Sequence, residues 1–127
     1  MNLEKVIFGF FILLALTLNF GFFIGDIDNP DHHAVYELYA AIVVNLIATV
    51  LKFGERTQIG AILLASSLVA DLQLIAAAVL WGVAVYGTEV GLTPMVTASI
   101  VSLSGGALLA NLVSVTLLII ETAKMHR

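Results

Sequence analysis

The sequence contains no cysteine, which excludes disulfide bonds, thiol catalysis and cysteine-based metal sites. Charged residues make up only 11% of the chain, and just five of them are lysine or arginine. So few basic side chains cannot form the positive surface that nucleic-acid binding requires, and we exclude that class of partner. No nucleophile with a nearby base and no cofactor motif can be recognised. We therefore expect neither an enzyme nor a protein with a bound cofactor.

Hydrophobic residues, in contrast, occupy 61% of the 127 positions, well above the roughly one half typical of soluble proteins. Lipid is therefore the expected solvent. Four apolar stretches each reach the ~20 residues that span the hydrocarbon core of a bilayer, and the connections between them are short. The sequence predicts an all-α polytopic protein, a single transmembrane domain over residues 1–127 that forms an antiparallel four-helix bundle. The predicted helices cover approximately residues 4–24, 30–53, 58–86 and 94–123.

The ends of the predicted helices carry recognisable signals. The first helix is too long for the core of a signal peptide, so we expect it to be retained. Asn29 followed by Pro30 predicts an N-cap and a first helical position for the second helix. Thr93 and Pro94 repeat this signal for the fourth helix, and Thr57 can cap the third. Glycine ends the first three helices, at Gly25, Gly54 and Gly87.

All basic residues fall at the two termini or in the second connection, and the first and third connections have none. The five are Lys5, Lys52, Arg56, Lys124 and Arg127. Because cytoplasmic segments collect lysine and arginine, this distribution predicts that both termini are cytoplasmic. The first and third connections are acidic instead, and they define the outer side.

Asp71 is the most informative residue, because a count of about 1.5 Å per residue places it near the middle of the bilayer. A charged side chain at that depth costs roughly 2.5 to 3.5 kcal/mol on insertion scales. Asp71 must therefore face the bundle interior, a water-filled cavity or a subunit interface. No lysine or arginine lies at its depth, so a proton or a cation is its natural partner. A structural role for Asp71 is the alternative.

Other polar residues lie near the same depth on the neighbouring helices. Asn45 belongs to a stripe on the second helix, at four-residue spacing, that also contains Glu37 and Thr49. We predict a polar seam that runs inward from Glu37 through Asn45 and Asp71 to Asn111. The candidate ion- or proton-binding residues are Asp71, Asn45, Asn111, Ser67 and Ser104. The alternative is that these amides and hydroxyls join the helices by hydrogen bonds without binding any ion.

The first outer connection, residues 25–33, combines three carboxylates with two imidazoles. A metal site is chemically possible there, but the spacing matches no defined motif, and we expect no bound metal. A solvated helix N-terminus explains most of these charges. The functional alternative is that this connection forms the outer mouth of a channel and attracts cations. Its residues would be Asp26, Asp28, Asp31 and Glu37.

The fourth helix has a face of small residues, which permits close approach of another helix. This face consists of Ser99, Ser102, Gly106 and Ala110. Four helices enclose little space, so conduction would use an interface between copies. We therefore expect a homo-oligomer in the lipid bilayer.

Residues 45–76 resemble a family of small, uncharacterised bacterial four-helix inner-membrane proteins. The resemblance rests on the runs Lys52-Phe-Gly-Glu-Arg-Thr-Gln58 and Leu68-Val-Ala-Asp-Leu-Gln73. It covers most of the chain and implies the bacterial inner membrane, but it implies no activity. From the residues themselves, our leading hypothesis is a homo-oligomeric channel or carrier for a small cation or a proton. The alternative is a non-conducting accessory subunit that packs against a larger membrane protein.

Overall fold

A computed structural model describes residues 3–54 and 57–125 of the chain. Within these ranges the chain forms four long α-helices and one short 3-10 helix, Pro30–His32. The long helices are α1 (Leu3–Phe23), α2 (Val35–Lys52), α3 (Gln58–Gly87) and α4 (Pro94–Met125). All four are long and apolar enough to cross a membrane. This confirms the predicted all-helical class and indicates a multi-pass membrane protein.

The helix caps follow the predicted signals at two of the three sites. Thr57 Oγ1 accepts a hydrogen bond from the backbone of Gly60 at 2.9 Å, at the start of α3. Thr93 Oγ1 accepts one from Val96 at 3.2 Å, at the start of α4. Both hydroxyls satisfy backbone N–H groups that have no partner inside the helix.

The predicted start of α2 is wrong. Asn29 does act as a cap, but its side chain accepts from the backbone N–H of Asp31 at 3.0 Å and begins the short 3-10 helix. The helix α2 begins only at Val35. The separation arises because His33 and Ala34 have extended backbone, which leaves the imidazole of His33 buried.

Each helix packs against its neighbours in the chain, and α1 also packs against α4, which closes a four-sided bundle. The start of α1 lies beside the end of α2, where the Lys52 ammonium is 4.4 Å from the centre of the Phe8 ring. It also lies beside the end of α4, where Lys5 Nζ is 2.7 Å from Glu121 Oε1. These contacts make α1 antiparallel to both of its neighbours. Arg56 and Arg127, which contribute to the predicted orientation, lie outside the described residues.

Two apolar clusters fill the bundle. One includes Phe22, Leu38 and Leu74, and the other includes Phe8 and Leu63. Polar side chains lie between them along the helices. On α2, for example, Asn45 lies between Ala41 of the first cluster and Ala48 of the second. The bundle therefore has a polar layer between two apolar ones.

The paired glycines of α4 are used for packing inside the bundle. A Cβ atom on Gly105 would lie 2.8 Å from Cε1 of the Phe23 ring of α1. A Cβ atom on Gly106 would lie 2.6 Å from the amide nitrogen and oxygen of Gln73 of α3. Without a side chain, both glycines permit these close approaches, which supply van der Waals contact where lipid offers no hydrophobic driving force.

Candidate functional site

Asp71 is buried in α3, with 5% of its surface exposed, and both of its carboxylate oxygens accept hydrogen bonds from α2. Asn45 Nδ2 donates to Oδ1 at 2.5 Å, and Thr49 Oγ1 donates to Oδ2 at 2.6 Å. Asn45 and Thr49 are four residues apart, so the helix presents both donors on one face. The carboxyl group is therefore bound across the interface between α2 and α3 by two uncharged donors.

The Thr49 hydroxyl makes a second contact, 2.9 Å from the backbone carbonyl oxygen of Asn45. A hydroxyl carries one hydrogen and can accept through its lone pairs. Thr49 therefore lies between two oxygen atoms, the Asn45 carbonyl and Asp71 Oδ2, and cannot donate fully to both.

Two oxygens of the same cluster have no hydrogen-bond partner in the described part of the chain. They are Asn45 Oδ1 and Ser67 Oγ, both fully buried. Asn45 nonetheless joins the helices twice, because its Nδ2 also donates to the Ser67 carbonyl at 3.2 Å. A buried oxygen without a partner costs free energy and is usually explained by a bound water or ion.

No ion pair joins Asp71 to a basic side chain within residues 3–54 and 57–125. The ion pair of Lys5 with Glu121 lies elsewhere, at the start of α1 and the end of α4. The charge of an ionised Asp71 is therefore stabilised by neutral hydrogen-bond donors. We name Asn45, Thr49, Ser67 and Asp71 the Asp71 cluster.

The structure separates the other predicted site residues from this cluster. Asn111 and Ser104 lie on α4, opposite Asn19 of α1. With the Asn19 amide oriented to satisfy its neighbours, its nitrogen donates to the Ser104 carbonyl at 3.0 Å and its oxygen accepts from Asn111 Nδ2 at 3.3 Å. No hydrogen bond among the described residues joins Asn111 or Ser104 to Asp71. The predicted seam is therefore divided between two different helix interfaces.

Thr49 and Asn19 were not among the predicted site residues. The signal for Thr49 was present, because it follows Asn45 by one helical turn on the same stripe. Asn19 had a weaker signal, since its depth alone did not indicate which helix it would face.

The acidic residues of the predicted outer mouth do not converge on one point. Asp26, Asp28 and Asp31 are exposed, whereas Glu37 is half-buried. The Glu37 carboxylate lies against the backbone of Gly21, at the position that a Cβ atom would occupy. Among the residues that the structure describes, no group of three acidic or histidine side chains could hold a metal ion.

His33 organises this loop instead. Its buried ring places Nδ1 2.5 Å from the Phe22 carbonyl oxygen and Nε2 2.7 Å from the Asp26 carbonyl oxygen. Carbonyl oxygens only accept, so a ring nitrogen that carries a proton donates in these contacts.

In a comparison with known protein families, residues 32–122 match a family of unknown function. The chain belongs to the DUF6394 family. This confirms the expected resemblance to an uncharacterised family, and the matched range contains the whole Asp71 cluster. No curated protein and no solved structure matches the chain. Because the DUF6394 family brings no activity, the site must be interpreted from its geometry.

Proposed function

We propose that this DUF6394 protein is a homo-oligomeric membrane channel or carrier for a proton or a small cation, and that Asp71 binds the transported species. The observation that carries the proposal is a buried carboxyl group, midway along a helix of membrane-spanning length, held only by uncharged donors. A carboxyl group at such depth is costly, and a functional role is the usual reason for one.

The position of the cluster supports a route between copies. Leu72, next to Asp71 in the chain, is 70% exposed, and Val50, next to Thr49, is also 70% exposed. The exposed faces of α2 and α3 therefore begin one residue away from the buried Asp71 cluster. Within the bundle, the apolar clusters close off the polar layer on both sides. A second copy packed on this surface would bring the carboxyl group to a subunit interface.

We also propose that the protein lies in the bacterial inner membrane with both termini in the cytoplasm. In that orientation the exposed carboxylates of Asp26, Asp28 and Asp31 face outward. They would raise the local concentration of cations at the outer surface, with Glu37 at the inner edge of this region.

The decisive experiment measures ion and proton flux into liposomes that contain the purified protein. Asp71→Asn removes the charge and keeps the shape, so flux should be abolished. Glu89→Gln is the matched control, because it removes one carboxylate from an exposed turn. Equal flux in wild type and Asp71→Asn, at equal protein content, would contradict the proposal.

The oligomeric part is tested separately by native mass spectrometry of protein released from lipid. We expect a single closed oligomer with one defined subunit number. A monomer that still shows Asp71-dependent flux would refute the interface between copies while leaving the role of Asp71 intact.

A second candidate function is a non-conducting accessory subunit that packs against a larger membrane protein through α4. It is favoured by the hydroxyl residues Ser99 and Ser102, which are exposed on the surface of α4. Gly106, in contrast, is not open to a partner helix, because Gln73 of the same chain already packs against it. A stoichiometric partner recovered in mild detergent, together with absence of flux, would favour this function over transport.

A further inference from the structure

The Asp71 cluster carries an inference about the transported species, which rests on the proposed function. We infer that Asp71 exchanges a proton rather than a metal cation. In this exchange Thr49 is a positioning residue, whose hydroxyl hydrogen-bonds to the carboxyl group in both its protonated and its ionised form.

The first argument is that hydrogen-bond donors occupy the carboxylate. The Asn45 amide nitrogen is 2.5 Å from Oδ1, so one of its hydrogens points at an oxygen that a metal ion would need. The Thr49 hydroxyl is 2.6 Å from Oδ2. Hard cations are held by several converging oxygen atoms, whereas here each carboxylate oxygen already uses one lone pair to accept a hydrogen bond. A proton, in contrast, needs only one lone pair.

The second argument is that the Thr49 hydroxyl fits two protonation states. When Asp71 is ionised, Thr49 donates its single hydrogen to Oδ2. When Asp71 is protonated at Oδ2, the carboxyl O–H donates to Thr49, and the Thr49 hydrogen turns to the Asn45 carbonyl at 2.9 Å. Rotation of one hydroxyl therefore satisfies both states without movement of either helix.

The two unpartnered oxygens of the cluster are acceptors to which a water molecule can donate. Asn45 Oδ1 and Ser67 Oγ are fully buried and can each accept a hydrogen bond. The exchange balances as follows: a hydronium ion on one side gives its proton to the Asp71 carboxylate and becomes water. The protonated carboxyl group then gives that proton to water on the other side and returns to the carboxylate.

The test compares proton flux with Na⁺ and K⁺ flux in the same liposomes, using wild type, Asp71→Asn, Thr49→Val and Thr49→Ser. Proton flux should be abolished in Asp71→Asn and fall on the order of tenfold in Thr49→Val, the effect of losing one hydrogen bond to a charged group. Thr49→Ser keeps the hydroxyl and should restore the flux. The pH dependence of the proton flux should change in Thr49→Val and match that of the wild type in Thr49→Ser.

The outcomes separate the two proposals. Any Asp71-dependent flux of Na⁺ or K⁺ overturns the proton assignment while the proposed function stands. Absence of every Asp71-dependent flux overturns the proposed function itself. Wild-type proton flux in Thr49→Val, with the variant folded and inserted, overturns the role of Thr49 alone.

Discussion

The two adjacent histidines of the outer loop differ sharply in environment, although nothing in their sequence positions distinguishes them. His32 is exposed and accepts a hydrogen bond from the backbone N–H of Asp26 at 2.8 Å. His33 is buried, and both of its ring nitrogens face carbonyl oxygens. A ring nitrogen that faces an N–H group accepts, whereas a carbonyl oxygen can only accept and needs a donor. The two rings therefore differ in the groups that their nitrogens face.

This difference can be observed by nuclear magnetic resonance of ¹⁵N-labelled histidine in detergent micelles at mildly acidic pH. We expect a ring N–H of His33 to exchange with water more slowly than that of His32, because the His33 ring is buried and faces carbonyl oxygens. The His33→Phe variant assigns the signals by removing them. Equally fast exchange of the two rings would show that the carbonyl contacts do not hold the His33 ring.

A second residue-scale prediction concerns two glycines in different backbone conformations. Gly25 has φ +111°, and a Cβ atom there would lie 2.6 Å from Cβ of His32. Gly25→Ala should lower the free energy of unfolding by about 1 to 3 kcal/mol, because the backbone is strained for any other residue. A Cβ atom on Gly82, inside α3, would meet no neighbouring group of the described residues within 4 Å. Gly82→Ala should therefore gain up to about 1 kcal/mol of helix propensity.

Both variants can be measured by unfolding in mixed micelles with increasing fractions of denaturing detergent. Trp81 is the only tryptophan, and its ring centre is 6.0 Å from that of Phe22, so its fluorescence reports on the packing of α1 against α3. Equal stability of the two alanine variants would contradict the assigned backbone strain at Gly25.

At the scale of the helices, the ion pair of Lys5 with Glu121 contributes to the closure of the bundle by α1 and α4. Lys5 Nζ and Glu121 Oε1 are 2.7 Å apart, and their side chains are 24% and 18% exposed. Partial exposure screens the attraction, so a coupling free energy of about 0.5 to 1 kcal/mol is expected.

A double-mutant cycle measures this coupling, with Lys5→Gln, Glu121→Gln and the double variant unfolded in the same micelles. Glu89→Gln is the control for loss of a charge, because Glu89 is exposed in the third connection, at the opposite end of the bundle. The two single changes should not be additive, whereas Glu89→Gln should be additive with Lys5→Gln. Additive effects of Lys5 and Glu121 would mean that the ion pair does not stabilise the closure.

The helices themselves could be predicted from the sequence, because each apolar stretch is long and ends in glycine, proline or a capping threonine. The start of α2 could not, because Asn29 and Pro30 are valid signals for either a long helix or a short 3-10 turn. Burial of the His33 ring, a tertiary contact, decided between them.

Part of the candidate site could likewise be predicted from the sequence, and part could not. Asp71 could be predicted because no other acidic residue lies at its depth in the bilayer. Asn45 could be predicted because it lies at nearly the same depth, on the polar stripe of the second helix. The separation of Asn111 from Asp71 depends on the order of the helices around the bundle, which depth and spacing do not encode. Asn111 bonds to Asn19 because α1 packs beside α4, a consequence of how all four helices pack together.

At the scale of the whole molecule, the proposed orientation depends on the separation of charges between the two ends of the bundle. The first and third connections contain Asp28 and Glu89, both exposed, and no basic residue. The second connection follows Lys52, and Lys5 and Lys124 lie at the same end of the bundle. These basic residues therefore share one end. Because lysine and arginine are retained on the cytoplasmic side, we expect the end with Asp28 and Glu89 to face outward.

The absence of cysteine makes this orientation directly measurable, since the wild-type protein provides a blank for thiol labelling. Asp28→Cys and Glu89→Cys should react with a membrane-impermeant maleimide in intact spheroplasts. Phe53→Cys, at a residue that is 71% exposed in the second connection, should react only after the membrane is opened. The reverse pattern would place the three aspartates of the outer loop in the cytoplasm. They could then no longer concentrate cations at the outer surface, although Asp71 would keep its depth and its bonds to α2.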